Sequence, residues 1–291
     1  MTCTLRHILV SGANSGIGLA TARAAAENGW HVFAAARNPE GLADTIAGRS
    51  EGLATEVVLD VTKPSDIAAL RSVVAEHVAG AGLDALANVA GIGVSAPLET
   101  VEIERVRAIF EVNVIGQLAL TQAIVPLVRE AKGRIVMVGS VGDRLTVPFA
   151  GPLTASKWAI AAMTETLRQE LAPWGIRVVL VEPASIRTPA VDKMRAEVDQ
   201  TLAEFTPEQQ VLYGSTYRSV LSNFLAKEDN GSPPEVVAET IMKALADAHP
   251  RARYLTGADA HRLAALAHLP STAQDAAKRK VFGLPKPGSA D

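Results

Sequence analysis

The segment Ser11-Gly12-Ala13-Asn14-Ser15-Gly16-Ile17-Gly18 joins an apolar run, Arg6 to Val10, to an alanine-rich stretch of helical period, Gly16 to Asn28. Its glycines let the main chain turn tightly and come close to a bound group. The helix that follows aims its free N–H groups and its dipole at the turn, which favours a pyrophosphate there. The spacing is G-x-x-x-G-x-G rather than G-x-G-x-x-G, so its weight comes from its place between a buried strand and a helix at the start of an α/β pattern.

The alternation continues down the chain. His31 to Ala36, Thr55 to Asp60 and Leu83 to Val89 read as strands, and Asp66 to Val78 as a helix with Pro64 and Ser65 at its start. A long helical region from about Glu99 to Arg129 leads to a fifth strand, Arg134 to Gly139. Thr154 to Leu171 reads as a helix and Ile176 to Val181 as a sixth strand. Strands separated by right-handed helical crossovers predict a single-domain α/β fold: a Rossmann-like, doubly wound parallel sheet with helices on both faces.

Beyond Val181 the regularity breaks. Residues 184 to 232 hold two helical segments with no strand between them, and Pro233 to Ala248 is a helix with Ser232 as its N-cap. Arg253 to Thr256 adds a last strand, and the tail from Ala258 is helical. The expected organisation is one dinucleotide-binding catalytic domain, 1–257, with a substrate-covering insertion at 188–232. A helical C-terminal extension, 258–291, packs on the same domain.

A net charge of -3 gives no reason to expect a nucleic-acid partner, and Lys278-Arg279-Lys280 reads as a solvated helix end. Cys3 is the one cysteine, which excludes an intramolecular disulfide and suits a reducing compartment. No apolar run reaches the roughly 18 residues of a membrane helix, and no leader pattern precedes the first strand. The expectation is a soluble cytoplasmic protein with no membrane partner. The six histidines show no metal-ligand spacing, so no metal site is expected.

The second strand carries a cofactor preference. An NAD site places a carboxylate near its C-terminal end to bond the ribose 2′-hydroxyl. Here that end reads Ala34-Ala35-Ala36-Arg37-Asn38, with no acid and with Arg37 placed to meet a 2′-phosphate. NADP(H) is the expected cofactor.

These motifs, in this order, resemble the short-chain dehydrogenase/reductase family over about residues 5 to 190, with a weaker similarity of the C-terminal part to its steroid- and retinol-dehydrogenase branch. Gly12, Asn14, Ser15, Gly16, Ile17 and Gly18 match the glycine motif, and Asp60-Val61 the segment that contacts adenine. Asn88-Val89-Ala90-Gly91 is similar to the motif after the fourth strand, so the resemblance places Asn88, Ala90 and Gly91 at the cofactor. Pro183, Ile186 and Thr188 fall in the segment that anchors the nicotinamide carboxamide, with Ala184 in place of a glycine. Asn113, Ser140 and Lys157 match the catalytic asparagine, the serine that bonds the substrate oxygen, and the lysine that holds the nicotinamide ribose.

One position departs. Where the resemblance calls for the acid-base tyrosine, four residues before Lys157, this chain has Leu153, which can neither donate, accept nor titrate. Lys157 relayed through water to Ser140, or Tyr217 from the insertion, are the groups that can be weighed in its place. Two readings stand open. One is an NADP(H)-dependent oxidoreductase of hydrophobic alcohols or ketones with weak or rearranged proton transfer. The other is a cofactor-binding scaffold without redox turnover, whether a gated binding module, a non-redox catalyst or a disabled variant. The apolar stripes Met194, Val198, Leu202, Phe205 and Tyr217, Val220, Leu221, Phe224, Leu225 read equally as lid packing or as a lipophilic pocket wall. The resemblance also implies a homodimer or homotetramer through the helices at 99–129 and 154–172.

Overall fold

The computed structural model describes residues 5–47 and 54–288. Seven strands form one sheet, wholly parallel: β1 (Arg6–Ser11), β2 (Trp30–Ala36), β3 (Ala54–Val58), β4 (Ala85–Asn88), β5 (Arg134–Val138), β6 (Arg177–Pro183) and β7 (Arg253–Thr256). The spatial order is β3-β2-β1-β4-β5-β6-β7, so the direction of winding reverses between β1 and β4. In open sheets of this kind such a reversal is where ligands bind, outside the C-terminal ends of the strands.

Side-chain alternation explains why both faces are covered. On β1, Leu9 joins one core with Phe33, Leu86 and Ile135, while Ile8 and Val10 join the other with Val32, Ala87 and Val136. Helices α3 (Pro64–Val78), α5 (Gln117–Glu130) and α6 (Gly151–Leu171) cover the first face through Leu70, Ile124 and Ile160. Helix α1 (Gly16–Glu27) and α10 (Glu235–Ala246) cover the second through Ala22, Ala25, Val237 and Ile241. The many alanines of α1 let it lie close to α10 and the strands, which a helix of larger residues could not do.

The short α2 (Leu42–Ala47) was not expected, and the long helical region is two helices, α4 (Ile103–Phe110) and α5, joined through a π-helical turn at Glu111–Gly116. Helix α6 starts at Gly151-Pro152, not at Thr154, because Pro152 suits a first turn. The Ser232 N-cap is corrected: α10 starts at Glu235, and the Ser232 hydroxyl accepts from the Ala258 N–H instead. The statement that no segment reaches membrane-spanning length is also corrected. The continuous helical stretch Ile103–Glu130 is long and apolar enough by length and composition, with half of its most apolar window buried in the fold.

The insertion contains α7 (Pro189–Glu204), α8 (Pro207–Gln209), a second π-helical turn at Gln210–Gly214, and α9 (Ser215–Asp229). Its two apolar stripes meet each other. Val191, Val198, Leu202, Tyr217, Val220, Leu221 and Leu225 form a third core, closed by Phe282 from α12 (Ser271–Phe282). Helix α11 (Ala260–Leu266) packs on β7, and the Asn223 amide donates to the Phe282 carbonyl, so the C-terminal extension rests on the same domain. Cys3 lies outside the described residues.

Candidate active site

The glycine turn is built for close approach. Gly12 has φ +68°, and a Cβ there would stand 3.0 Å from the Ala90 Cα. Gly16 has φ +52°, and a Cβ on Gly18 would stand 2.1 Å from the Gly12 carbonyl oxygen. The turn therefore requires glycine at all three positions. Asn14 and Ser15 are exposed at its tip, and Ser15, with extended backbone at the N-cap of α1, leaves its side chain out of the capping bond. Ile17 is half-buried against the second core. This surface of glycine and free helix N–H groups fits a pyrophosphate.

Ser11 holds the turn to the neighbouring strand end, its hydroxyl accepting from the Val89 and Ala90 N–H groups at 3.0 and 3.2 Å. Gln117 bonds the Ala90 carbonyl at 2.6 Å from the other side. Ser11 was read in the sequence only as the first residue of the glycine segment, and Gln117 was not singled out, since it acts on main chain from a distant element. The Asn88 amide donates to Thr121 at 2.8 Å and to the Met137 sulfur inside the sheet, while its Oδ1 is buried without a partner.

Further along the crevice, Arg37 is exposed at the end of β2 and forms no ion pair with another described residue. The Asp60 carboxylate accepts from the Thr62 hydroxyl and N–H, which holds it below the usual range, and Val61 packs under the Gly116 turn. Gly91 lies open over Asn113 and Lys157, whose Nζ would be 3.9 Å from a Cβ there. Pro183 ends β6, and Ile186 sinks its side chain into the second core. Thr188 rests on the glycine turn, its Cβ 3.2 Å from where a Gly16 Cβ would be.

Asn113 sits fully buried in the π-helical turn, a local widening common at functional sites. Its amide accepts from the Ile92 N–H at 2.8 Å and donates to the Ile92 carbonyl at 2.9 Å and to Ser156 Oγ at 3.0 Å. Lys157 is one residue on, and its Nζ donates to the Val138 carbonyl at 3.1 Å. Ser140 follows that strand, with its Oγ accepting from the Gly142 N–H at 3.0 Å. Asn113 and Lys157 both lie beside Gly91, after β4, and Ser140 lies two residues beyond Val138, the β5 residue that Lys157 bonds.

Leu153 points at the same cleft. Its Cδ2 lies 3.7 Å from where a Gly93 Cβ would stand, and the Met194 Cε of the insertion lies 3.6 Å from that point. A separate groove of about 560 Å³, lined by Leu98, Phe149, Trp158 and Leu284, lies along the opposite face of the first turns of α6. Tyr217 does not supply the missing hydroxyl. It is fully buried, bonded to Ser95 Oγ at 2.9 Å and stacked edge-on against Phe149, and burial pushes its phenol up.

Behind Ser140 lies a charge cluster. Asp143 and Glu182 are fully buried side chains flanked by Arg144 and Arg253. Arg253 bonds Asp143 Oδ1 at 2.7 Å and Glu182 Oε1 at 2.8 Å, and Arg144 grips Glu182 through both Nε and Nη2. Asp143 Oδ2 accepts nothing and stands 2.9 Å from where a Gly139 Cβ would be. Burial, then the adjacent Glu182, push Asp143 up to about 8. Burial works against Glu182 as well, but the two arginines outweigh it and hold that carboxyl low. One proton shared between the acids resolves the arrangement, with Asp143 donating to Glu182. Burial also brings Lys157 down to about 8, and a protonated Asp143 offers it little compensation.

The sheet order, the glycine turn at its reversal and the residues Asn113, Ser140 and Lys157 near the neighbouring strand ends can be compared with known proteins. The short chain dehydrogenase family model matches residues 6–199. The chain belongs to that family. It is 32% identical to mouse retinol dehydrogenase 16 over 277 residues, covering 93% of this chain and 87% of that one. It is 32% identical to human 17-beta-hydroxysteroid dehydrogenase type 6 over 291 residues, covering 98% and 90%. Among solved structures it is similar to a short-chain dehydrogenase from Streptomyces avermitilis, with TM-score 0.76, 27% identity and coverage of 96% and 97%. Actinorhodin polyketide ketoreductase with NADPH gives TM-score 0.70 at 28% identity, covering 86% and 94%. The 3-ketoacyl-(acyl-carrier-protein) reductase of Brucella melitensis, solved with NADH, gives 0.68 at 25%, covering 86% and 95%. This short-chain dehydrogenase is therefore an oxidoreductase on a fold that binds a nicotinamide dinucleotide.

Proposed function

We propose that this protein is an NADP(H)-dependent dehydrogenase or reductase of hydrophobic alcohols and ketones in which Leu153 replaces the acid-base tyrosine. The observation that carries the reading is the convergence of Asn113, Ser140 and Lys157 beside a glycine turn that no Cβ could occupy. The cofactor, when bound, supplies the hydride or accepts it. Ser140 orients the substrate oxygen, and Lys157 binds the ribose and supplies positive charge beside the reacting centre. Exposed Arg37, with no acid beside it on β2, supports the phosphorylated cofactor.

Leu153 and Met194 make the inner wall of the cleft apolar, which supports a hydrophobic substrate. With no hydroxyl at position 153, proton delivery falls to water held by Ser140 and Lys157, and turnover is slow. The lone cysteine supports a reducing, cytoplasmic setting. Ile103, Ile115 and Trp158, exposed by half or more, support a homo-oligomer through the helices that carry them.

The test pairs binding with turnover. NADPH and NADH are titrated by fluorescence, and hydride transfer is assayed over a ketone panel for the protein and for Leu153→Tyr. NADPH preference with activity raised by about 10²–10⁴-fold in the tyrosine variant is expected. No cofactor binding would overturn the reading, and preference for NADH would overturn the role of Arg37.

A further inference from the structure

Two buried carboxyls and two arginines stand behind Ser140, and one oxygen among them is left over. The Asp143 N–H donates to the Ser140 carbonyl at 2.9 Å, closing a tight helical turn after β5. Asp143 Oδ1 takes the bond from Arg253 at 2.7 Å. Its Oδ2 is buried and accepts nothing, and the side chain bonds Glu182, a second carboxyl. An oxygen so placed is satisfied as an O–H donating to Glu182, whose own oxygens are held by Arg144 and Arg253. Oδ2 also stands 2.9 Å from where a Gly139 Cβ would be. Gly139 lies between Ser140 and Val138, and the Val138 carbonyl takes the Lys157 Nζ bond at 3.1 Å. One peptide therefore carries Lys157 on its oxygen and has Asp143 against its glycine.

Asp143 faces Glu182 of β6, Arg253 of β7, Arg144 beside it in the chain and Lys157 of α6. Helix α11 packs on the same turn, but its His261 and Arg262 are exposed. Beside Gly91 the neighbour of Lys157 is Asn113, which carries no charge. With a proton on Asp143 the cluster holds two cations and one anion, so it offers the Lys157 ammonium no counter-ion. Without that proton it would offer one, and the lysine would hold its own proton more tightly. We propose that Asp143, protonated against Glu182, is a positioning residue that denies Lys157 a counter-ion, so that the lysine ammonium serves as the proton donor Leu153 cannot be. The proposal rests on the reading above, in which water held by Ser140 and Lys157 carries the proton. In a ketone reduction the carbonyl carbon gains hydride from the dinucleotide, which is oxidised, and the C=O π pair moves to oxygen. That oxygen takes a proton from the water, and the water is refilled by the Lys157 ammonium. The neutral amine left behind regains its proton from solvent. Burial brings Lys157 down to about 8, near the working range of a general acid, and burial with the adjacent Glu182 pushes Asp143 up.

The experiment follows Lys157 directly. With isotope-labelled lysine ε-carbons, its NMR signal is assigned by its loss in Lys157→Arg and titrated in the wild type, Asp143→Asn and Glu182→Gln. Glu182→Gln removes the second carboxyl, so Asp143 ionises between the two arginines and becomes the counter-ion. The Lys157 midpoint should then rise by about one pH unit or more. In Asp143→Asn no counter-ion forms, and the midpoint should lie at or below the wild-type value. One protonated-carboxyl infrared band, present in the wild type near neutral pH, should be missing from both variants. A Lys157 midpoint that stays put in Glu182→Gln overturns the proposal. If Glu182→Gln does not fold, Asp143→Asn decides alone: a midpoint above the wild-type value, or an unchanged infrared spectrum, overturns it. For turnover, the alkaline limb of kcat for ketone reduction with NADPH should move with the Lys157 midpoint. A limb that stays while the midpoint moves assigns the proton to another donor and overturns the proposal. If no form turns over, the reading above falls and the donor role with it, while the midpoints still decide whether Asp143 governs the charge on Lys157.

Discussion

The side-chain amide of Asn113 and the main chain of Ile92 bond each other twice, at 2.8 and 2.9 Å, and so hold the loop after β4 over the cleft floor. Asn113→Ala removes both bonds and the one to Ser156. Ile92 is 39% exposed, so water replaces part of the loss. Destabilisation of about 1–3 kcal/mol is expected in urea unfolding, with weaker cofactor binding as the loop loosens. Unchanged stability would show that the loop is held by other contacts.

Gly18→Ala tests the cradle. The added Cβ would lie 2.1 Å from the Gly12 oxygen, a main-chain clash that no rotamer relieves. The turn must open, at a cost of about 1–3 kcal/mol or more, with loss of measurable dinucleotide binding. Calorimetric titration alongside thermal unfolding separates the two effects.

Asp143→Asn addresses the shared proton. The wild-type carboxyl rises from 3.8 to about 8 on folding, so the native state holds a proton that the unfolded chain releases. Its contribution is complete below about pH 4 and lost as pH climbs through about 8. Asparagine keeps an acceptor for Arg253 and a donor for Glu182 without titrating. The variant should match the wild type near pH 4 and show a flatter stability curve between pH 4 and 8, read from denaturant midpoints. An identical pH slope would refute protonation at Asp143.

His31 makes the opposite prediction at acid pH. Its ring is 4.4 Å from that of His77 and 5.6 Å from that of His7, centroid to centroid, and its Nε2 bonds Thr55. Burial first, then the neighbouring imidazoles, lower it from 6.5 to about 4. A depressed histidine favours the neutral native state, so stability falls as pH drops from 6.5 toward 4, by at most about 3 kcal/mol. His31→Gln should remove much of that slope in chemical unfolding followed at pH 7 and pH 4.5.

The apolar cleft wall gives a last prediction. Met194→Lys places a charge against Leu153 and should raise KM for a hydrophobic ketone by about tenfold or more. NADPH affinity should stay within about threefold, because the change lies in the insertion and not on the glycine turn. Equal loss of both would place Met194 in the cofactor site.

Strands and the glycine turn were legible because their signals are local. β2 reads as one apolar run because both its faces are covered; Gly12 and Gly16 are demanded by their own positive φ and Gly18 by its approach to the Gly12 carbonyl oxygen. Ser140 and Lys157 were singled out by the family resemblance, Ser140 after β5 and Lys157 in the first turns of α6. The bond from the Asn88 amide to Thr121 was not legible, because its partner comes from a helix 33 residues away. Ser232 resembled a cap, until Ala258 arrived from the far side of the chain to use its hydroxyl.

The sequence by itself determined the parallel α/β architecture, the cofactor turn and the apolar residue at position 153, since these depend on periodicity, on glycine conformation and on residue identity. Only the tertiary structure decided how charges and lids are shared. Asp143 meets Arg253 across 110 residues of chain, and Glu228 meets Ile186 across 42. No local pattern encodes such pairs. Desolvation on folding makes each isolated group costly, so the fold must bring a partner to it from wherever the topology allows.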